Sequence, residues 1–344
     1  MKIGKKKISV KNLPFVIAEI GMNHNGNLDK AFKLIDHAVT AKCDAVKFQT
    51  IKINRLMVKN TPLAKYQKET NFSNMNDLIK KYNLSYFDFI KIKNYCKKKK
   101  IIFLSTPFDI ESAYFLNKLN VPAFKISSSD NDNFFLIETI KKFKKPVIIS
   151  TGMTKIKEIR KIIDIMKFKK DKLAILHCIS DYPTDLKDSK LGAIDQIKEF
   201  GYEVGFSDHT IGSEAAIAAI SKGSSIIEKH ITLDNNMEGP DHKASLECKN
   251  LKQFVRNIRD IKLSLNDDRN TISKKEAHTK KIAKKSIYFS KTLKKNHIIK
   301  KDDLIALRPR LKGISPINYK KYIGRRLKSS VKAESILNDK KIKY

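Results

Sequence analysis

Nowhere in the 344 residues does an apolar run approach the roughly 18 that a membrane-spanning helix requires, so no transmembrane segment and no membrane partner is expected. The opening stretch MKIGKKKISVKNLPFVIAEIG has basic residues but no apolar core ahead of a small-residue cleavage site, and no signal peptide is expected. Cysteine is sparse. Cys43, Cys96, Cys178 and Cys248 stand far apart and form no C-x-x-C pair, which points to a reducing cytoplasm. The glycines needed for a dinucleotide-binding turn are missing as well, since EIGMNHNG lacks the G-x-G-x-x-G spacing. Acidic residues are scarce: 36 Asp and Glu face 71 Lys and Arg, a formal net charge of +35.

Such a charge raises the question of nucleic acid or an anionic surface. The excess is nearly all lysine, in the runs KKK (5–7), KKKK (97–100) and KKDK (169–172), which fall on termini and helix–strand connections. No aromatic platform interleaves them, and arginine, the better residue for bidentate phosphate and base contacts, is scarce. A solvated lysine-rich surface with some steering of anionic substrates is the expectation. A basic nucleic-acid-binding protein is the competing class, and a chain that kept a fold and lost its activity is a third.

What is present is periodic. With 41% hydrophobic and 31% charged residues the chain reads as globular, long enough for one large domain and a smaller one. Short β-branched runs alternate with helical spacing of apolar residues: strands 15–21, 45–50, 101–108, 123–128, 146–151, 173–178, 203–209 and 226–232, each followed by a helix. Eight such units predict a (β/α)8 barrel over 1–266. Residues 51–86 read as a long insertion between the second strand and its helix. The polar stretch 267–282 reads as a linker, and 283–344 as a small domain of short β-like runs.

A barrel of this kind collects its chemistry at the C-terminal strand ends. Glu19, Asn23 and His24 follow the first strand, and Lys47 and Gln49 lie on the second. Ser105 and Thr106 come from the third, Lys125 and Ser128 from the fourth, and Ser150 and Thr151 from the fifth. His177, Ser180 and Tyr182 belong to the sixth, Asp208 and His209 to the seventh, and Glu228 and His230 to the eighth. Imidazole is the commonest side-chain metal ligand, so His209 and His230, 21 residues apart at equivalent positions, predict a divalent-metal site with Asp208, Glu228 and Asp241 nearby. Lys47 and Lys125 sit inside apolar strands, where an unpaired ammonium is costly. With Thr106, Ser128 and Ser150 they predict an anion site; a snorkelling lysine is the alternative at each position.

The stretches AEIGMNHNGNLDKA, DAVKFQT, FLSTPFD, AFKISS, PVIISTGM, LHCISDYPT, GFSDHT and EKHITLDNNMEGPDH occur in order. In these the chain resembles the sialic acid synthase family, and LRPRLKGISP and YIGRRL resemble its C-terminal antifreeze-like (SAF) domain. The resemblance implies a synthase that condenses phosphoenolpyruvate with an N-acetylated amino sugar, first N-acetylmannosamine to give N-acetylneuraminate. N,N'-diacetyllegionaminate is the alternative product. It implies Mn2+ or Mg2+ on His209 and His230, and phosphoenolpyruvate on Lys47, Thr106, Lys125, Ser128, Ser150 and Ser180. The sugar would lie on Glu19, Gln49, Tyr182 and Asp241. It also implies a domain-swapped homodimer in which Arg308 enters the partner's site. Glu19 or Asp130 is then expected to manage the attacking water. Ser127-Ser128-Ser129-Asp130 stands where many members have Gly-Ser-Gly-Glu, Ser180 where asparagine is common, and Asn296 and Arg310 at usual glycine positions.

Overall fold

The computed structural model describes residues 1–59, 61–63, 72–265, 270–311 and 313–343. The chain divides into two compact units, Met1–Asn266 and Asp267–Tyr344.

In the first unit eight parallel strands alternate with eight helices. The strands are β1 (Phe15–Gly21), β2 (Ala45–Thr50), β3 (Ile102–Pro107), β4 (Phe124–Ile126), β5 (Val147–Ser150), β6 (Leu173–Cys178), β7 (Glu203–Asp208) and β8 (Ile226–Thr232). The helices that follow them are α1 (Leu28–Thr40), α2 (Tyr86–Lys99), α3 (Ile110–Lys118), α4 (Phe134–Lys142), α5 (Ile156–Met166), α6 (Ala193–Lys198), α7 (Glu214–Ser221) and α8 (Cys248–Ser264). Hydrogen-bonded neighbours run β3-β2-β1-β8-β7-β6-β5-β4, and β4 lies beside β3 without a backbone ladder, so the barrel is nearly closed. Strands buried on both faces need apolar residues at every position, which is why these segments read as short continuous runs.

The two faces of the strands feed two cores. Val16, Ala18, Ile20, Val46, Phe48, Phe103, Ile149, Ile175, Phe206 and Ile227 pack outward against the helices. Phe15, Ile17, Ala45, Leu104, Ala123, Ile148, Ala174, Leu176 and Ile226 fill the interior. A hairpin of Lys2–Ile3 with Lys6–Lys7 precedes β1, and its Ile3 and Ile8 join that interior core, at 0% and 2% exposure. Each buried Ile or Leu contributes about 1.5–3 kcal/mol, so this plug is a substantial part of the barrel's stability.

Helix starts follow from local chemistry. Asn27, Asp109 and Asn133 cap α1, α3 and α4 with their side chains, and Ser85 and Asp88 form a capping box on α2. Three lysines of the 97–100 run lie in the last turn of α2, where cations complement the helix dipole, rather than in a connection. In the β2–α2 insertion two short helices form, Ile53–Leu56 and Met75–Tyr82.

The second unit opens with helix α9 (Lys274–Ala283), which replaces much of the expected linker over 267–282. Ser273 caps it by accepting from the Glu276 amide, a signal hidden in a stretch that is polar throughout. Antiparallel pairs β9 (Ser286–Phe289) with β10 (Leu304–Leu307) and β11 (Arg326–Leu327) with β12 (Ile342–Lys343) enclose Ile287, Phe289, Leu293, Ile299, Leu327 and Leu337. Asn296 takes φ +68°, which asparagine tolerates better than most residues. Arg310 donates to the Lys285 carbonyl at 2.9 Å and to Ser315 Oγ at 3.1 Å.

Candidate active site

Strand alternation places polar side chains above the apolar floor of the barrel. Glu19 stands two residues past Ile17, Lys47 past Ala45, Thr106 past Leu104, Lys125 past Ala123, Ser150 past Ile148 and Glu228 past Ile226. Cys178 and Ser207 complete the ring. Together with His209, His230, Ser128, Ser180, Tyr182 and Asp241 these groups line a cavity of about 460 Å³ at the C-terminal mouth. Its outer wall is apolar, with Met22, Ile51, Leu56, Met57, Leu78, Ile79 and Phe108.

Four buried charges face one another at the base. Lys47 Nζ lies 2.8 Å from Glu19 Oε2 and 3.7 Å from Glu228 Oε2, and Lys125 Nζ lies 3.2 Å from Glu228 Oε1. Ser207 Oγ donates to Glu228 Oε1 at 2.9 Å, and Lys47 donates to Thr106 Oγ1 at 3.1 Å. Even so, both Glu19 oxygens, Glu228 Oε2 and Ser150 Oγ lack a well-directed hydrogen bond among the described residues. Burial pushes the Glu19 carboxyl up to about 7 despite Lys47. Burial also acts to raise Glu228, but Lys125 and Lys47 outweigh it and hold that carboxyl at about 2. Lys125 is depressed by burial, only partly offset by Glu228.

Two glycines permit the crowding. Gly21 follows a register shift in β1 and takes φ +54°; a Cβ there would lie 3.3 Å from Glu19 Oε1 and 3.4 Å from both Gln49 Nε2 and His230 Cε1. Gly152 donates its N–H to Ser128 Oγ at 3.0 Å. A Cβ at this position would meet Ser180 Oγ at 2.2 Å and Ser128 Oγ at 2.7 Å, so a side chain would drive those hydroxyls apart.

The imidazoles of His209 and His230 stand with centroids 5.5 Å apart, and the Tyr182 ring lies 4.1 Å from the first and 5.9 Å from the second. His209 Nδ1 donates to the Ile179 carbonyl at 2.6 Å, which leaves Nε2, 3.5 Å from Ser207 Oγ, as the ring atom for a ligand. Burial works against a proton on His209, but Cys178 beside it holds its pKa above the usual value, so the surroundings favour positive charge at that ring. His230 is driven well below its ordinary value by burial and by His209, and its Nδ1 has no hydrogen-bond partner among the described residues. Asp241 Oδ2 lies 3.9 Å from that atom, with its carboxyl raised to about 6 by burial. No group of three or more His, Cys, Asp or Glu among the described residues is arranged to hold an ion. The two imidazoles fit a cation that takes two nitrogens from the chain and completes its shell with oxygens of water or substrate.

The expected site residues divide. Glu19, Lys47, Gln49, Thr106, Lys125, Ser128, Ser150, Ser180, Tyr182, His209, His230 and Asp241 all line the one cavity. Asp130 does not. After β4 the chain makes a short 3-10 turn, Ser128–Asp130, and the carboxylate closes it by accepting from Ser127 Oγ at 2.8 Å, Ser129 Oγ at 3.1 Å and Asn133 Nδ2 at 3.0 Å. Arg308 belongs to the second unit, where it is exposed. Several polar strand-end residues face the helices instead of the cavity. Ser105 meets Thr50 Oγ1 at 2.7 Å, Thr151 donates to the Leu176 carbonyl at 2.9 Å, and His177 Nε2 donates to the Ser189 carbonyl at 2.7 Å. Asp208 also points outward. Ser207 and Cys178, given no role from sequence, line the cavity, and Glu228, expected beside the metal site, lies against Lys47 and Lys125. The signal for Ser207 was present, because it stands two residues before His209.

Known proteins resemble the chain over most of its length. The NeuB family profile matches residues 34–270, and the SAF domain profile matches 284–343. The N,N'-diacetyllegionaminic acid synthase of Campylobacter jejuni is 36% identical over 330 residues, covering 94% of this chain and 98% of the relative. The corresponding enzyme of Legionella pneumophila is 37% identical, covering 94% of this chain and 93% of its own length. The solved N-acetylneuraminic acid synthetase of Leptospira borgpetersenii superposes with a TM-score of 0.70 at 32% identity, covering 81% of this chain and 94% of that one.

Proposed function

The chain belongs to the NeuB family of phosphoenolpyruvate-dependent nonulosonate synthases, and from that premise we propose that its acceptor is a diacetylated 6-deoxy amino sugar. The observation that carries the reading is the cavity's division. Two buried ammoniums and several hydroxyls lie at the base, two imidazoles stand above them, and an apolar wall closes the outer side. A second acetamido group and a C6 methyl suit such a wall, since each buried methyl-sized group contributes about 0.8 kcal/mol. A sugar hydroxyl placed there without a partner costs about 1–3 kcal/mol. The two whole-length relatives named for the diacetyl product support the same choice. N-acetylmannosamine, the first expectation from sequence, is the second reading, favoured by the likeness to the N-acetylneuraminic acid synthetase.

In this reading the phosphate and carboxylate of phosphoenolpyruvate lie against Lys47 and Lys125, with Thr106, Ser128, Ser150 and Ser180 donating to their oxygens. The two ammoniums already face Glu19 and Glu228, so the charge of phosphoenolpyruvate is offset only in part by them, and a proton on Glu19, whose carboxyl is held near 7, together with the divalent cation would supply the rest. C3 of phosphoenolpyruvate bonds to the aldehyde carbon of the open-chain sugar as the C2=C3 double bond and the carbonyl π bond open, and the aldehyde oxygen gains a proton to become a hydroxyl. A water oxygen adds at C2, and the C2–O bond to phosphate breaks to leave the 2-keto acid and inorganic phosphate. A divalent cation on His209 and His230, Mn2+ or Mg2+, supplies polarisation of the sugar carbonyl. Glu19, with a carboxyl near 7, takes the proton of the attacking water. Gln49, Tyr182 and Asp241 hold the sugar. Arg308 of a partner subunit completes its recognition in a domain-swapped homodimer, and four free, buried cysteines suit a reducing cytoplasm. No described helix is long and apolar enough to cross a membrane.

The test is phosphate release by purified protein with Mn2+, phosphoenolpyruvate and each sugar. The diacetylated 6-deoxy sugar should give a kcat/KM at least about tenfold above that of N-acetylmannosamine. The reverse order selects the second reading, and no release with either sugar overturns both.

A further inference from the structure

Behind the cavity wall, on the helix-facing side of β7 and β8, lie Asp208 and Lys229, each 1% exposed. Lys229 Nζ donates to Asp208 Oδ2 at 2.8 Å and to the Thr210 carbonyl, and it lies 5.8 Å from the ring centroid of Phe254 on α8. Asp208 Oδ1 accepts from the Thr210 N–H at 2.9 Å and from Thr210 Oγ1 at 2.7 Å. These contacts bind residue 208 to residue 210 and so clamp the backbone on both sides of His209. The His209 carbonyl accepts from the Thr184 N–H at 2.9 Å, and its ring is tied to Ile179. Lys229 itself immediately precedes His230. One ammonium therefore joins the strand that carries the second imidazole to the turn that carries the first.

We infer that Asp208 and Lys229 are positioning residues that set the separation of the two imidazoles and through it the affinity for the divalent cation. The inference rests on the metal reading proposed above. A buried ion pair is a poor way to gain stability, because an apolar pair of similar volume is often as good or better. What an apolar pair cannot do is accept the Thr210 N–H and hold its carbonyl, and those contacts fix the turn around His209. Groups of this kind behind a metal ligand typically change metal affinity by about 10–100-fold when removed.

The experiment measures Mn2+ binding to the full chain without substrate, by paramagnetic resonance of the free ion, alongside thermal melting. Removing one partner alone strands a buried charge, so the informative variant is the double Asp208→Leu/Lys229→Met, which removes both charges. It should stay folded but melt lower, because the Thr210 N–H, hydroxyl and carbonyl are left without partners, and bind Mn2+ about 10–100-fold more weakly. Its kcat should fall while KM for phosphoenolpyruvate stays within about twofold, since Lys47 and Lys125 are untouched. A folded double variant with wild-type Mn2+ affinity overturns the inference. Should the double variant not fold, Thr210→Val, which deletes only the hydroxyl contact, serves instead: a severalfold loss of Mn2+ affinity supports the clamp and unchanged affinity overturns it. Wild-type protein that binds no Mn2+ overturns the metal reading and the clamp together, whereas wild-type binding with unchanged variants removes the clamp alone.

Discussion

Lys229 and Glu228 are adjacent in β8 and both are buried, yet they belong to clusters of opposite character. On the helix-facing side, Lys229, Asp208 and Thr210 satisfy one another: the carboxylate accepts three bonds and the ammonium donates two. On the inward side, Lys47, Lys125, Glu19 and Glu228 sit at ion-pair distances, but three carboxylate oxygens receive no well-directed hydrogen bond. Buried polar groups that the chain itself completes act as structure. Those it leaves incomplete, at the base of a cavity, are available to a ligand. The Asp303 cluster of the second unit is of the first kind. That carboxylate is 1% exposed and takes the Lys300 N–H at 2.8 Å, His297 Nε2 at 2.7 Å and Lys291 at 3.0 Å.

The contrast breaks most visibly through the inward cluster. Lys47→Met should lower kcat/KM by about 10³–10⁴-fold, roughly 4–5.5 kcal/mol of barrier, with a smaller fall in the urea midpoint than Lys229→Met, because Glu19, already near 7, takes a proton once its cation is gone. Steady-state phosphate release beside a urea titration checks it, and a variant that unfolds instead would make Lys47 a strut like Lys229. The mirror experiment is Lys229→Met alone, which leaves Asp208 buried without its cation. It should cost about 3 kcal/mol or more of stability, read as a fall in the urea midpoint, and a variant as stable as wild type would erase the distinction between the two clusters.

Asp303→Asn extends the comparison to the second unit, with an expected loss of about 1–3 kcal/mol in that unit's own unfolding transition. Burial acts to raise the Asp303 carboxyl, but the Lys300 amide, His297 and Lys291 outweigh it and hold it at about 2, below its ordinary 3.8. A carboxyl depressed in the folded state contributes stability that is fully present above about 4 and is lost as pH falls toward about 2. Acid titration of that transition should show the loss in wild type and a shallower slope in Asp303→Asn. The smallest effect is expected at Asp130. Its carboxylate closes its own turn, so Asp130→Asn should change kcat by less than about threefold and stability by about 1 kcal/mol or less. A drop of more than about tenfold would return Asp130 to the reacting groups.

Much of this arrangement is readable in the residues. Each barrel strand is a short β-branched run, each helix has an apolar stripe, and Lys47 and Lys125 stand out because ammoniums are rare within such runs. Asp130 and the 267–282 stretch misled for local reasons. A carboxylate after the fourth strand looks catalytic until a 3-10 turn consumes it, and a polar run looks like a linker until a serine cap starts a helix. Asp208 misled differently: it neighbours His209 in sequence, but alternation turns it to the opposite face.

The sequence by itself determined where the strands and helices lie, because local propensity and periodicity act within a few residues of chain. It also determined the family, through motifs that occur in order. Only the tertiary structure decided which polar residues share a cavity, because Glu19, Lys47, Lys125 and Glu228 meet through barrel closure across some 200 residues of chain. It alone decided which buried charges the chain completes and which it leaves open. That outcome depends on strand register and on the neighbours each face meets, and a side chain's partners across the sheet are not written in its own strand.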